Sequence, residues 1–94
     1  MLAILIESQK LILDDGAIIQ IRVWRLQTAT RERPHRLKYS LIYGRPGERI
    51  IGYDNEIGKG DHRHYRDREE LYRFSNYETL IRDFMNDVQK ERAR

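Results

Sequence analysis

Apolar and polar residues alternate in two separate segments of this chain, and a period of two predicts β-strands. Segment 17–26 places three apolar side chains on one face, Ile19, Ile21 and Val23. Segment 35–44 does the same with Leu37, Tyr39, Leu41 and Tyr43. Successive side chains of a strand point to opposite faces, so each predicted strand has one face suited to a core.

Turn signals connect these two strands to two more. Asp14-Asp15-Gly16 separates segment 17–26 from the apolar segment 4–14, which predicts one strand or two short ones. Arg45-Pro46-Gly47 precedes a fourth predicted strand over residues 48–53. Glycine, proline and aspartate suit tight turns because they accept the required backbone angles. Segment 27–34 has no period and is predicted to be a loop, so we expect an antiparallel meander of about four strands.

A C-terminal helix is predicted after a short extended stretch over residues 71–74. Ser75 and Glu78 fit a capping box, in which the serine and glutamate side chains satisfy unpaired backbone donors. The apolar residues that follow have helical spacing and form one stripe; they are Tyr77, Leu80, Ile81, Phe84, Met85 and Val88. We therefore expect an α+β fold in which this helix packs on one face of the sheet.

The composition limits both the size and the type of protein. The 94 residues are enough for a single domain, 1–94. There is no cysteine, which excludes a disulfide framework, a thiolate zinc site and a cysteine nucleophile. The apolar start, 1–6, is too short for a signal peptide, and no apolar stretch is long enough to span a membrane. We expect a cytoplasmic protein that does not interact with membranes.

The charge pattern has two interpretations. The net charge is +3, and basic residues cluster between Arg22 and Lys38. Mixed charges are typical of an ordinary solvated surface. A basic surface also attracts a polyanion, and RNA is the corresponding partner.

Segment 53–68 is the main candidate for function. Gly58 and Gly60 are expected to interrupt any regular element there. Between residues 53 and 64 the chain carries two imidazoles, three carboxylates, a lysine and an arginine. In an extended chain His62 and His64 would share one face, with Arg63 on the other. The third histidine, His35, lies in the third predicted strand, away from this segment.

These residue types are suited to cleaving RNA without a metal ion. Histidine can take a proton from the 2′-hydroxyl and give one to the leaving oxygen near neutral pH. Cations can stabilise the phosphorane, and Asp61 or Glu56 can orient an imidazole. The predicted catalytic residues are His62, His64, Asp61, Lys59, Glu56, Asp54 and Arg63. The predicted substrate-binding residues are Tyr53, Asn55, Gly58, Gly60, Arg66 and Arg68.

Two other interpretations of the segment stay open. Five of its side chains are usable ligands for a divalent metal, Asp54, Glu56, Asp61, His62 and His64. Their spacing matches neither an HExxH helix nor an EF-hand loop, so we predict no cofactor, although a divalent metal is not excluded. The segment is also compatible with a charged surface connection whose histidines and carboxylates pair with each other.

The run Gly52-Tyr53-Asp54-Asn55-Glu56, followed by Gly58-Lys59-Gly60-Asp61-His62-Arg63-His64, resembles the signature of TumE-type toxins of prokaryotic toxin–antitoxin modules. This family is also described as a domain of unknown function. Segments 13–16, 36–39 and 72–74 and the strand with Trp24 add to the resemblance. It implies a small growth-inhibiting toxin that a cognate antitoxin protein neutralises.

The resemblance implies no mechanism, and two hypotheses lead, ahead of another enzyme such as a metal-dependent nuclease or a transferase and of a plain structural domain. The first is a ribonuclease that uses His62 and His64. The alternative is a non-catalytic inhibitor or regulator that binds a ribosomal, nucleic-acid or protein target. A symmetric homodimer is compatible with the sequence, but no sequence feature requires one.

Overall fold

The structure, a computed structural model, describes residues 2–56 and 58–94. Met1, in the apolar start, and Ile57, in the polar segment, lie outside the described residues. The chain forms strands β1 (Ala3–Ile12), β2 (Ile18–Leu26), β3 (Leu37–Arg45), β4 (Glu48–Asp54), β5 (His62–Tyr65) and β6 (Arg68–Leu71), then helix α1 (Tyr77–Arg92). The strands form one sheet in chain order, and each pairs antiparallel with the next.

The hydrophobic core lies between the sheet and the helix. The apolar residues predicted to share a face in β2 and β3, apart from the partly buried Leu37, belong to one buried cluster with Leu80, Phe84 and Val88 of α1. The rings of Phe84 and Tyr53 of β4 meet edge to face, with centroids 5.9 Å apart. The α+β class and the antiparallel meander are therefore confirmed, and the helix contributes its predicted apolar stripe to the core.

The predicted number of strands is wrong, because the sheet has six. Strand β5 forms within segment 53–68, which we expected to lack regular structure, and β6 begins at the last residue of that segment and ends at Leu71, the first residue of the predicted extended stretch. Gly58 and Gly60 have positive φ values of 89° and 73°, and they lie in the connection between β4 and β5. They therefore turn the chain before β5 instead of interrupting a strand.

The predicted capping box is also wrong, by one residue. The N-cap of α1 is Asn76, whose side-chain oxygen accepts a hydrogen bond of 2.8 Å from the backbone N–H of Thr79. Asparagine and serine are about equally good N-cap residues, so the sequence alone could not show which of the adjacent Ser75 and Asn76 caps the helix. Glu78 lies in the first turn, where a carboxylate interacts favourably with the helix dipole.

Within residues 2–56 and 58–94, no helix combines the length and apolar character needed to cross a membrane.

Candidate functional site

The sheet has two faces with different compositions. The helix face carries Val23, Leu41 and Tyr53, which are buried beneath α1. The other face, which α1 does not cover and which we call the open face, carries the residues that alternate with these along each strand. There, the strand register aligns Arg22, Ser40, Asp54 and His62 in one row across the sheet. The next row contains Gln20, Ile42, Gly52, His64 and Glu69.

His64 is buried at the centre of a charged cluster on the open face. Its Nε2 lies 3.3 Å from Oδ2 of Asp54, and its Nδ1 lies 3.3 Å from Oε2 of Glu69. Nη2 of Arg49 lies 3.2 Å from the same Nδ1. Of these three contacts, the one with Arg49 has hydrogen-bond geometry, and the guanidinium donates to Nδ1. The cluster thus holds the ring of His64 between two carboxylates and a guanidinium.

Gly52 provides the space for this cluster. It lies directly opposite His64 in the β4–β5 ladder and has no side chain. A Cβ atom at this position would lie 3.0 Å from Cδ of Arg49, closer than ordinary van der Waals contact. The glycine therefore allows Arg49 to pass over β4 and reach the imidazole.

Lys59 and Glu56, two of the predicted catalytic residues, line the same cavity as His64. A cavity of about 350 Å³ is lined by His64, Asp54, Arg49, Glu69, Lys59 and Glu56, together with Arg66 and Asp67. Nζ of Lys59 lies 4.0 Å from Oε2 of Glu69. The backbone N–H of Lys59 donates to the carbonyl of Glu56 at 3.1 Å, which places both residues in one turn at the edge of the cavity.

His62 shares the open face with His64, and Arg63 lies on the helix face, as the period of two predicted. Nδ1 of His62 donates to the carbonyl of Gly60 at 3.0 Å. Because a carbonyl only accepts, Nδ1 carries a proton in this arrangement. His62 is therefore held beside the cluster by its own loop, and its hydrogen bond is separate from those of His64.

Among the described residues, the side-chain hydrogen bonds of Asp61 do not join it to His62 or His64. Its carboxylate accepts from Nε2 of His35 at 3.2 Å and from the hydroxyl of Tyr39 at 2.6 Å. The prediction that His35 lies apart from the segment is therefore wrong. The Asn55 side chain bonds the backbone of Leu37 and Tyr39. The geometry gives Asp61 and Asn55 a role in fixing the β4–β5 loop to β3.

Two further predicted residues lie on the helix face. Arg63 donates to Asp87 of α1 at 2.7 Å, and this hydrogen bond raises the pKa of Arg63 above its usual range. The hydroxyl of Tyr53 also donates to Asp87, at 2.5 Å. Burial raises the pKa of Tyr53, and the bond to Asp87 adds to the effect. These contacts attach α1 to the sheet, on the opposite side from His64.

The predicted residues of the last hairpin are divided between two environments. Arg66, at the turn between β5 and β6, pairs with Glu91 of α1 at 2.8 Å and also lines the His64 cavity. It has a positive φ of 57°. Arg68 is exposed in β6. Of the predicted cations, Lys59 and Arg66 thus lie at the cavity.

Sequence analysis missed several residues of the open face. Arg49 and Glu69 complete the His64 cluster, and Trp24 and Lys38 line an adjoining groove of about 540 Å³. Trp24 and Lys38 belong to the polar sides of predicted strands, so the period of two contained a signal for them. Arg49 precedes two consecutive apolar residues and Glu69 lies in an unpredicted strand, so no period placed either one.

The carboxylates of the cluster face different nitrogens of one imidazole. Asp54 contacts Nε2 and Glu69 contacts Nδ1, so their oxygens lie on different sides of the ring. In the part of the chain that the structure describes, no three histidine, aspartate or glutamate side chains are grouped to hold a metal ion.

Comparison with known protein families shows a match over nearly the whole chain. The model of a family described as Toxin TumE matches residues 2–92. This range includes all six strands and the helix. No curated protein and no solved structure matches the chain.

Proposed function

Because the chain belongs to the TumE toxin family, whose name indicates the toxin of a toxin–antitoxin module, we propose that it acts as a metal-independent ribonuclease centred on His64. The observation that carries this proposal is the contact of His64 with Asp54, Glu69 and Arg49. A carboxylate beside one ring nitrogen and a guanidinium that donates to the other hold the imidazole in a fixed orientation, which general acid–base catalysis needs.

In the proposed reaction, one imidazole removes the proton of a ribose 2′-hydroxyl. The 2′-oxygen forms a bond to phosphorus, the bond to the 5′-oxygen breaks, and a second group protonates that oxygen. We assign His64 as the base, since it lies at the centre of the charged cluster, and His62 as the acid, since it lies on the same face about 6.6 Å along the strand. Arg49 and Lys59 stabilise the added charge on the phosphorane oxygens.

The test is RNA cleavage by the purified chain in the presence of EDTA. His62→Ala and His64→Ala should each lower the rate by about 10²–10⁴-fold. His35→Ala is the matched control, since it removes an imidazole outside the cluster, and circular dichroism checks the fold of each variant. A folded His62→Ala, His64→Ala double variant that cleaves at the wild-type rate would contradict the proposal.

The alternative is a toxin that binds its target without cleaving it. One observation favours it: both nitrogens of His64 already have charged neighbours, and only 10% of its side chain is exposed. In that case the open face would cover a target. The double variant would then lose toxicity while total RNA stays intact in cells that express the wild-type chain.

The family implies an antitoxin partner, and β1 is our proposed docking strand. Among the described residues, six of the seven exposed large apolar side chains lie in or beside β1: Leu2, Ile4, Leu5, Ile6, Leu11 and Ile12. β1 has ten residues and pairs only with β2 within the described sheet. Long apolar edge strands are natural sites for strand addition by another chain. The opposite edge, β6, has four residues and three charges.

A further inference from the structure

We propose that the open face carries a subsite for single-stranded RNA, in which the indole of Trp24 stacks on a nucleobase next to the His64 cavity. The inference rests on the proposed function and adds a binding determinant to it. It follows from the position of Trp24, from the charge of the open face and from the continuity of the groove with the cavity.

Trp24 occupies an unusual position for the only tryptophan of a small chain. It lies half-buried in β2 on the face without the helix, although an indole offers a large area for a core. Its neighbour in β3 is Lys38, whose Nζ lies 5.0 Å from the ring centroid. The indole thus lines the groove, and the ammonium of Lys38 lies over its ring.

The charges of the two faces differ. On the open face, β1 to β4 carry Lys10, Arg22, Lys38 and Arg49 in different rows of the register, and the carboxylates of the strands on this face are Asp54 and Glu69. On the other side, the carboxylates of α1 are engaged with tyrosine hydroxyls: Asp83 with Tyr72, Asp87 with Tyr53 and Glu91 with Tyr65. The open face is thus the side that attracts a polyanion.

The groove leads from Trp24 to the proposed catalytic cluster. Trp24 and Lys38 line the groove together with Arg49, Asp54 and Glu56. The last three residues also line the His64 cavity, so the two depressions adjoin. A base on Trp24 would place the phosphates that follow it near Arg49 and His64.

This arrangement suits unpaired RNA. Bases of an A-form duplex are stacked on each other, whereas bases of a single strand can stack on aromatic side chains and leave their phosphates to nearby cations. Lys38 has a flexible stem and can exchange the indole for a phosphate when a base arrives. The occupant is therefore a single strand of RNA; a protein segment anchored on Trp24 is the competing outcome of the test.

The single tryptophan makes the test direct. Wild-type protein is titrated with a short single-stranded 2′-O-methyl RNA, which cannot be cleaved because its 2′-oxygen is blocked. We expect quenching of Trp24 fluorescence by this RNA and much weaker quenching by the matching duplex. In anisotropy measurements with the labelled strand, Trp24→Ala should raise Kd by about 5- to 150-fold, and Trp24→Phe by much less.

Matched lysine variants test the charge argument. Lys38→Ala should weaken RNA binding and reduce its salt dependence. Lys90→Ala removes the same charge at an exposed position of α1 and should leave RNA binding unchanged. Unchanged affinity in a folded Trp24→Ala variant would overturn the subsite. Equal quenching by the duplex, or protection of Trp24 by the antitoxin but not by RNA, would also overturn it.

The two proposals fail separately. If Trp24 binds single-stranded RNA but the wild-type chain cleaves none in EDTA, the subsite stands and the ribonuclease proposal falls. If cleavage persists in Trp24→Ala with unchanged affinity for RNA, the ribonuclease proposal stands and the subsite falls.

Discussion

The carboxylate of Asp54 contacts His64 diagonally across the β4–β5 ladder, although the residue directly opposite Asp54 is His62. The diagonal is open because Gly52, which lies opposite His64, has no side chain. Diagonal neighbours in a sheet are about 7–8 Å apart at the backbone, so long side chains can bridge them. The cluster therefore depends on the register of a strand pair in which β5 has four residues.

Gly52→Ala tests this dependence. The new Cβ would lie 3.0 Å from Cδ of Arg49, so the arginine must move away from His64. We expect RNA cleavage to fall by about 10²-fold, as small displacements of catalytic groups can cause. The melting temperature should change little, because the side chain that must yield is flexible and Gly52 has no positive φ.

Gly44→Ala is the contrasting variant. A Cβ there would lie 2.1 Å from the backbone oxygen of Glu48, which cannot move without distorting the β3–β4 turn. This variant should lose its cooperative thermal transition. Wild-type cleavage by Gly52→Ala together with wild-type stability of Gly44→Ala would show that an added Cβ is tolerated at both positions, and would contradict the prediction.

Sequence alone predicted the elements that bury a continuous apolar face. Ile19, Ile21 and Val23 repeat every second residue and α1 has a regular stripe, so the core face of each was evident. Strand β5 could not be found in this way, since its helix face carries Arg63 and Tyr65, which bond to carboxylates of α1. Those bonds form only after the helix has returned to the sheet, and no local pattern indicates them.

The site was predicted only in part, because some of its contacts are local in the sequence and others join distant segments. The shared face of His62 and His64 follows from their spacing, and Lys59 and Glu56 reach the cavity through a local turn. Glu69 and Arg49 reach His64 through strand pairing across 5 and 15 residues of sequence, respectively. The position of Asp61 beside His35 depends on a contact over 26 residues.

His35→Ala should reduce stability and leave the chemistry intact. The imidazole donates to Asp61 through Nε2, accepts from the backbone N–H of Leu37 and lies against Phe74, with ring centroids 3.9 Å apart. Loss of these contacts should lower the free energy of unfolding in urea by about 1–3 kcal/mol. The rate of RNA cleavage below the transition should stay within a few-fold of wild type.

His62→Ala provides the complementary measurement. Its hydrogen bond is to the local carbonyl of Gly60, so its removal should cost less stability than that of His35. The rate of RNA cleavage by His62→Ala should fall, because His62 is the proposed acid. A His35→Ala variant with wild-type stability and strongly reduced cleavage would move His35 into the site.

Two buried tyrosines, Tyr39 and Tyr53, and the partly buried Tyr72 should limit stability at alkaline pH. Burial raises the pKa values of Tyr39, Tyr53 and Tyr72, and hydrogen bonds to Asp61, Asp87 and Asp83 raise them further. An unfolded tyrosine titrates near pH 10. The stability that these groups contribute is therefore complete below about pH 10 and is lost as pH rises towards their folded-state values.

The measurement is tyrosinate absorbance at 295 nm during a titration, with circular dichroism of the same samples. We expect part of the absorbance change to coincide with unfolding above pH 10. Tyr53→Phe should reduce the loss of stability above that pH, because it removes one of the groups. Complete ionisation of all six tyrosines near pH 10 in a folded chain would contradict the prediction.

Charges introduced on β1 should separate antitoxin binding from toxicity. Ile12 of β1 and Leu71 of β6 are similarly exposed, at 71% and 80%, and lie on the two edge strands of the sheet. Lysine on an edge strand opposes pairing with another chain. We expect Ile4→Lys, Ile12→Lys to abolish co-purification with the product of the adjacent antitoxin gene, and Leu71→Lys to retain it. Both variants should still arrest growth, since neither changes the His64 cluster. If Leu71→Lys alone weakens binding of the antitoxin, the antitoxin docks on β6 and not on β1. A wild-type dimer that the β1 variant converts to a monomer, with antitoxin binding unchanged, would show instead that β1 pairs with a second copy of the chain.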